Sequence, residues 1–162
     1  MHNVPGDIEL VVFDVDGVLT DGRIWFFDDG SEAKAFHTQD GFGIRRLLEA
    51  GLQVAVLSGR QSNAARRRMS ELGVRHVLLG CKDKVDAFVK LTSDLGIDAG
   101  NTACVGDDVP DIPLLRLAGF GIAVANAAEE VKAECDLITS LPGGHGAVRE
   151  ICDLLLAARN RD

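Results

Sequence analysis

At 162 residues, with 46% hydrophobic and 26% charged positions, the chain is long enough for one domain with a substantial core and has an ordinary globular composition. Its formal net charge of −8 argues against nucleic acid as a partner, because a phosphate backbone needs a basic face. No apolar stretch reaches bilayer-spanning length, residues 1–7 lack a secretion signal's basic flank and apolar core, and the four cysteines stand singly. These features point to a reduced cytoplasmic setting with no membrane, zinc site or disulfide framework.

In chain order, the first predicted element is the apolar run Ile8-Glu9-Leu10-Val11-Val12-Phe13, a buried strand that ends abruptly in Asp14-Val15-Asp16-Gly17-Val18. Two segments, 22–27 and 33–37, flank the turn-like Asp28-Asp29-Gly30-Ser31 and predict a β-hairpin. Helices are then predicted over 40–50, 63–72, 84–95, 110–117, 127–133 and 147–158. Between and around them run strands at 53–57, 76–79, 102–105, 121–124 and 137–138. The alternation implies an α/β fold, a doubly wound, Rossmann-like parallel sheet covered on both faces, with the hairpin as a small insertion and one domain over 1–162. The one basic run, Arg66-Arg67-Arg68, falls on a helix and reads as a solvated face or a subunit contact.

The strand ends carry the chemistry. In open α/β sheets ligands bind beyond the carboxyl ends of the strands. Asp14 and Asp16 close the first strand, Ser58-Gly59-Arg60 the second, and Gly106-Asp107-Asp108-Val109-Pro110-Asp111 the fourth, while Lys84 opens the helix after the third. Adjacent acids repel each other, which suggests a divalent cation with oxygen ligands such as Mg²⁺; a solvated turn is the plainer alternative for any one of these segments. Together they supply a carboxylate nucleophile, acids for a metal, a hydroxyl beside backbone N–H groups, and a cation. Phosphoryl transfer needs those parts, since its catalysis is mostly positioning and neutralisation of charge.

On these residues the chain resembles the haloacid dehalogenase superfamily of phosphatases. Asp14-Val15-Asp16-Gly17-Val18 matches the first motif, Ser58 the second, Lys84 the third and Gly106-Asp107-Asp108-Val109-Pro110-Asp111 the fourth. The resemblance implies Asp14 as the nucleophile that forms an aspartyl-phosphate and Asp16 as the general acid and base, holding its proton near neutrality. It further implies Mg²⁺ on the Asp14 carboxylate, the Asp16 carbonyl and Asp107, a phosphoryl grip from Ser58, Gly59 and Lys84, and support from Asp108 and Asp111. Three more segments, 14–22, 34–44 and 143–150, resemble the capless subgroup of 3-deoxy-D-manno-octulosonate 8-phosphate phosphatases of lipopolysaccharide synthesis, with phosphatases of nine-carbon sugar acids as relatives. The chain ends soon after Arg149-Glu150, whereas some members carry a longer tail.

That subgroup implies a sugar-acid phosphate as substrate and a homotetramer in which the hairpins associate. Trp25, Phe26 and Phe27 are then buried between subunits or packed on their own domain. Arg60, Thr20 and Asp40 are further substrate-site residues by resemblance, with Arg149 a substrate or interface candidate. His37 and His145 are left as polar loop or substrate-contact residues, because the aspartate chemistry has no vacancy for a histidine base. A receiver-like signalling domain also gathers acids, a hydroxyl and a lysine, but Asp14 and Asp16 on one strand favour hydrolysis over a lasting phosphoaspartate.

Overall fold

The computed structural model describes residues 4–160, so the expectations that touch residues 1–3 and 161–162 lie outside the described residues. The run Leu10-Val11-Val12-Phe13 forms β1 (Leu10–Phe13) and is buried throughout. Four apolar residues without polar alternation suit the middle of a parallel sheet covered on both sides. Accordingly β1 pairs in parallel with β4 (Gln53–Ser58) and β6 (Thr102–Gly106), Val12 lying opposite Ala55 and Cys104. Beyond β4 lies β5 (His76–Leu79), and beyond β6 lie β7 (Phe120–Ala123) and β8 (Leu137–Ile138), all parallel, in the order β5-β4-β1-β6-β7-β8. The chain moves outward from β1 in one direction and returns past it in the other, which opens a crevice at the carboxyl end of β1.

The helices cover both faces. The crossovers leading to β4 and β5 carry α1 (Thr38–Glu49) and α2 (Asn63–Leu72), and α1 packs against α2 and α6 (Ala147–Arg159) on one face. The return crossover puts α3 (Lys84–Leu95) on the other face against α4 (Ile112–Leu117). Phe13, Leu57 and Ile122 from the sheet, Ile44, Leu47 and Ile151 from α1 and α6, and Phe88 from α3 are almost completely buried. Among the described residues no helix is long and apolar enough to cross a membrane.

Local chemistry sets the boundaries. Ser62 accepts from the Ala65 N–H at the start of α2, and Asp83 accepts from the Val85 and Asp86 N–H groups at the start of α3. Gly73 and Gly96 end these helices in the left-handed conformation, so both match the predicted spans. The helix predicted over 110–117 is instead a 3₁₀ turn over Val109–Asp111 followed by α4. Pro113 has no N–H to continue an α-helical ladder into that turn. The helix predicted over 127–133 shrinks to α5 (Glu129–Lys132).

The insertion is a short antiparallel ribbon of β2 (Trp25–Phe26) and β3 (Glu32–Ala33), with Gly30 at φ +84° in its turn. Trp25, Phe26 and Phe27 are 64%, 70% and 54% exposed, so they do not pack on their own domain. Among the described residues this ribbon is the only insertion in the α/β alternation, and no element forms a cap domain.

Candidate active site

Asp14 is still held in the sheet by its N–H to Val105 O at 3.2 Å, which fixes its carboxylate at the rim. The chain then makes a wide kinked turn over Val15–Leu19, non-helical at Asp16 and at Gly17, which takes φ +88°. A Cβ at Gly17 would lie 1.9 Å from Asp107 Oδ2, so glycine both allows the positive φ and lets the Asp107 carboxylate approach this closely. Thr20 is fully buried, and its Oγ1 accepts from the N–H groups of Gly17 at 3.3 Å and Gly22 at 3.1 Å. Asn126 Nδ2 donates to Gly17 O at 3.1 Å while its Oδ1 accepts from Gly143 N at 2.6 Å. The loop at 143–144 thus buttresses the turn that carries Asp16.

Lys84 projects from the first turn of α3 and donates to Asp14 Oδ1 at 3.0 Å and to Asp111 Oδ1 at 2.6 Å. The other oxygen of Asp111 accepts from the N–H groups of Asp107 and Asp108, at 3.1 and 3.3 Å. Asp14, Asp107 and Asp111 each bring an oxygen within 4.8 Å of the others. Burial and the nearby Asp111 charge push the Asp14 carboxyl up to about 6 despite Lys84. Asp107 is pushed up to about 8 by burial, by the charges of Asp14, Asp111 and Asp108, and by a hydrogen bond with Asp14. Burial alone would lower Lys84, yet Asp14 and Asp111 outweigh it and hold the ammonium above its ordinary value.

Two neighbouring carboxyls that each raise the other's proton affinity are a place for a hard divalent cation. Asp111 already spends both oxygens on Lys84 and two N–H groups, so free oxygens remain on Asp14 and Asp107. The residues present therefore fit Mg²⁺, a cation that takes oxygen ligands.

A cavity of about 340 Å³ opens over this cluster, lined by Asp14, Asp16, Ser58, Gly59, Arg60, Lys84 and the acids of the β6 loop. Ser58 is buried at the end of β4, and its Oγ accepts from Arg60 N at 3.3 Å. Asp16 stands outside the acid trio. Its Oδ1 accepts from Lys34 Nζ at 2.5 Å and its Oδ2 lies 3.9 Å from Arg60 Nε, so cations flank the carboxylate. A second cavity, about 230 Å³ between Leu48, Gly73 and His76 at the opposite end of the sheet, gathers no acid cluster.

Several expected site residues do other work. Thr20 spends its hydroxyl on closing the turn and does not line the cavity. Asp40 also lies off the cavity, buried, accepting from Arg149 N at 2.9 Å at the start of α6. Arg149 itself reaches Asp153 and stacks over Phe42 with 5.3 Å to the ring centroid. Asp108 lines the cavity but bonds its neighbour Val109 N rather than Lys84, so of the two supporting acids Asp111 alone touches the lysine. His37 and His145 are absent from the cavity lining. Conversely, Lys34 and Glu32 bind the site residues Asp16 and Arg60, and Asn126 the turn that carries Asp16, links that sequence reasoning did not make. Glu32 and Lys34 alternate beyond the hairpin turn and so share one side, a signal the sequence does contain; Asn126 carries none.

Fold and site together define a phosphoric monoester hydrolase of the haloacid dehalogenase-like class. The model of haloacid dehalogenase-like hydrolases matches residues 80–151. A 3-deoxy-D-manno-octulosonate 8-phosphate phosphatase of Escherichia coli is 42% identical over 155 residues, which cover 96% of this chain and 82% of that protein. The Moraxella catarrhalis phosphatase of the same name, solved with magnesium, phosphate and KDO, superposes with a TM-score of 0.94 at 46% identity, covering 96% of this chain and 90% of the other. A cobalt-bound structure of the Haemophilus influenzae phosphatase gives a TM-score of 0.93 at 43% identity, with 96% and 91% covered. The chain belongs to the family of 3-deoxy-D-manno-octulosonate 8-phosphate phosphatases.

Proposed function

We propose that this protein hydrolyses 3-deoxy-D-manno-octulosonate 8-phosphate to the free sugar acid and phosphate, in two steps at Asp14. The observation that carries the reading is Lys84 bridging Asp14 and Asp111 beneath a cavity walled by Ser58 and Asp107. Ser58, the Gly59 backbone and Lys84 grip the phosphoryl oxygens, which aligns phosphorus with the Asp14 carboxylate. Asp14 forms the new O–P bond as the ester P–O bond breaks, and Asp16 gives its proton to the leaving alkoxide. Asp16 then removes a proton from water, whose oxygen attacks phosphorus and frees Asp14 and inorganic phosphate. Mg²⁺ held by the carboxylates of Asp14 and Asp107 and the carbonyl of Asp16 would neutralise the charge that keeps one anion from attacking another.

Arg60 lines the cavity, where a guanidinium can pair with the sugar's carboxylate. In a panel of 3-deoxy-D-manno-octulosonate 8-phosphate, nine-carbon keto-acid phosphates, hexose phosphates and phosphoserine, the eight-carbon keto-acid phosphate is expected to have the highest kcat/KM. A nine-carbon substrate in first place would move the assignment to its relatives, and equal turnover of all would leave only a general phosphatase.

The protein acts as one catalytic domain in a cytoplasmic homotetramer. Three adjacent exposed aromatics on the ribbon support association, since contiguous apolar surface of this kind marks contact sites. Light scattering should give four times the monomer mass, and Phe26→Lys should lower it. A monomeric wild-type protein would remove the tetramer from this reading.

A further inference from the structure

The ribbon does more than present aromatics to solvent. Lys34 follows β3 directly, and its side chain is 0% exposed while its Nζ rests 2.5 Å from Asp16 Oδ1. A buried ammonium is costly unless it is paired, so this contact fixes both side chains in one arrangement. Two positions earlier on the same side, Glu32 Oε2 accepts from Arg60 Nη2 at 3.2 Å, and Arg60 Nε stands 3.9 Å from Asp16 Oδ2. Glu32 and Lys34 therefore hold the two sides of Asp16, one directly and one through Arg60. The turn that carries Asp16 supplies no such hold of its own: Asp16 sits there at non-helical ψ 119°, and its carboxylate is not part of the acid trio.

We propose that Lys34 is a positioning residue for Asp16, so that the second strand of the ribbon belongs to the active site of its own chain. The inference rests on the reading of Asp16 as general acid. A carboxylate swinging about two side-chain torsions meets the leaving oxygen in few of its orientations, and Lys34 selects one. In the transfer to Asp14 its effect is therefore confined to substrates whose leaving group needs a proton.

The test compares 3-deoxy-D-manno-octulosonate 8-phosphate, an alkyl ester with a poor leaving group, with p-nitrophenyl phosphate, whose phenolate leaves unprotonated. The ratio kcat/KM is read because it reports events up to the first irreversible step, transfer to Asp14. Lys34→Met should lower it by about 10–10²-fold on the alkyl ester, a part of what a general acid supplies, and by under about 3-fold on the aryl ester. Lys34→Arg, which restores the charge, should recover part of the alkyl-ester activity. In an Asp16→Asn background Lys34→Met should cost nothing further, and that double variant leaves no unpaired buried charge. If Lys34→Met alone does not fold, Lys34→Gln keeps a donor and should show the same selective loss, smaller in size.

Equal losses on both esters, or losses that multiply with Asp16→Asn, would overturn the positioning role and leave the phosphatase reading intact. A wild-type protein that hydrolyses neither ester would sink that reading instead.

Discussion

Asp14→Asn is expected to bring turnover down to background and to remove the covalent intermediate, because an amide oxygen beside Lys84 cannot form the acyl phosphate. Asp16→Asn is expected to keep the acid cluster, since its side chain lies outside the trio of Asp14, Asp107 and Asp111, but to lower stability because it takes the carboxylate from the buried Lys34 ammonium. Its turnover should fall by about 10²–10⁴-fold, the usual contribution of a positioned acid or base. Rapid quench with labelled substrate separates the two: Asp16→Asn still forms phosphorylated enzyme from an ester with a good leaving group, and Asp14→Asn forms none. Near-normal hydrolysis by Asp16→Asn would move the acid to another residue, and labelled Asp14→Asn protein would move the nucleophile.

Much of this site is legible in the sequence because it is built on strand ends. An uninterrupted apolar run marks β1 as central, and a central parallel strand sets its following residues at the crevice, so Asp14 is placed by hydrophobicity alone. Ser58 and Asp107 follow by the same logic from β4 and β6, and Lys84 from a helix whose start is fixed by the Asp83 cap. The ribbon's part is less legible. Lys34 meets Asp16 across 18 residues of chain, and local pattern can say only that Glu32 and Lys34 share a side, not what that side faces. Thr20 and Asp40 show the opposite failure: each lies inside a segment with a family resemblance, yet the Thr20 hydroxyl and one Asp40 oxygen accept from backbone N–H groups that hold the frame. Proximity in sequence to a catalytic motif does not distinguish a residue that touches substrate from one that holds the loop in place.

Removal of divalent cations should abolish turnover, and Mg²⁺ should restore it, because without a cation between them Asp14 and Asp107 hold protons near neutrality and the repulsion between carboxylate and phosphoryl anion is not offset. The same pair makes a thermodynamic prediction that does not involve activity. In the cation-free protein Asp107 is raised from 3.8 to about 8 and Asp14 to about 6, so the folded state binds more protons than the unfolded chain between about pH 4 and pH 8. Cation-free stability should therefore fall as pH rises through that window, by at most about 1.4 kcal/mol per pH unit for each extra proton held. Mg²⁺ favours the ionised carboxylates and displaces those protons, so at saturation the contribution of Asp14 and Asp107 to the slope should vanish and the stabilisation by Mg²⁺ should grow with pH. A shallower dependence remains, to which buried Asp40 still contributes. Urea unfolding at about pH 5, 6.5 and 8, with EDTA or with saturating Mg²⁺, measures the difference. A cation-free protein whose stability rose with pH across the window would show that the two carboxylates ionise freely, and full activity in a verified metal-free sample would remove the cation from the site altogether.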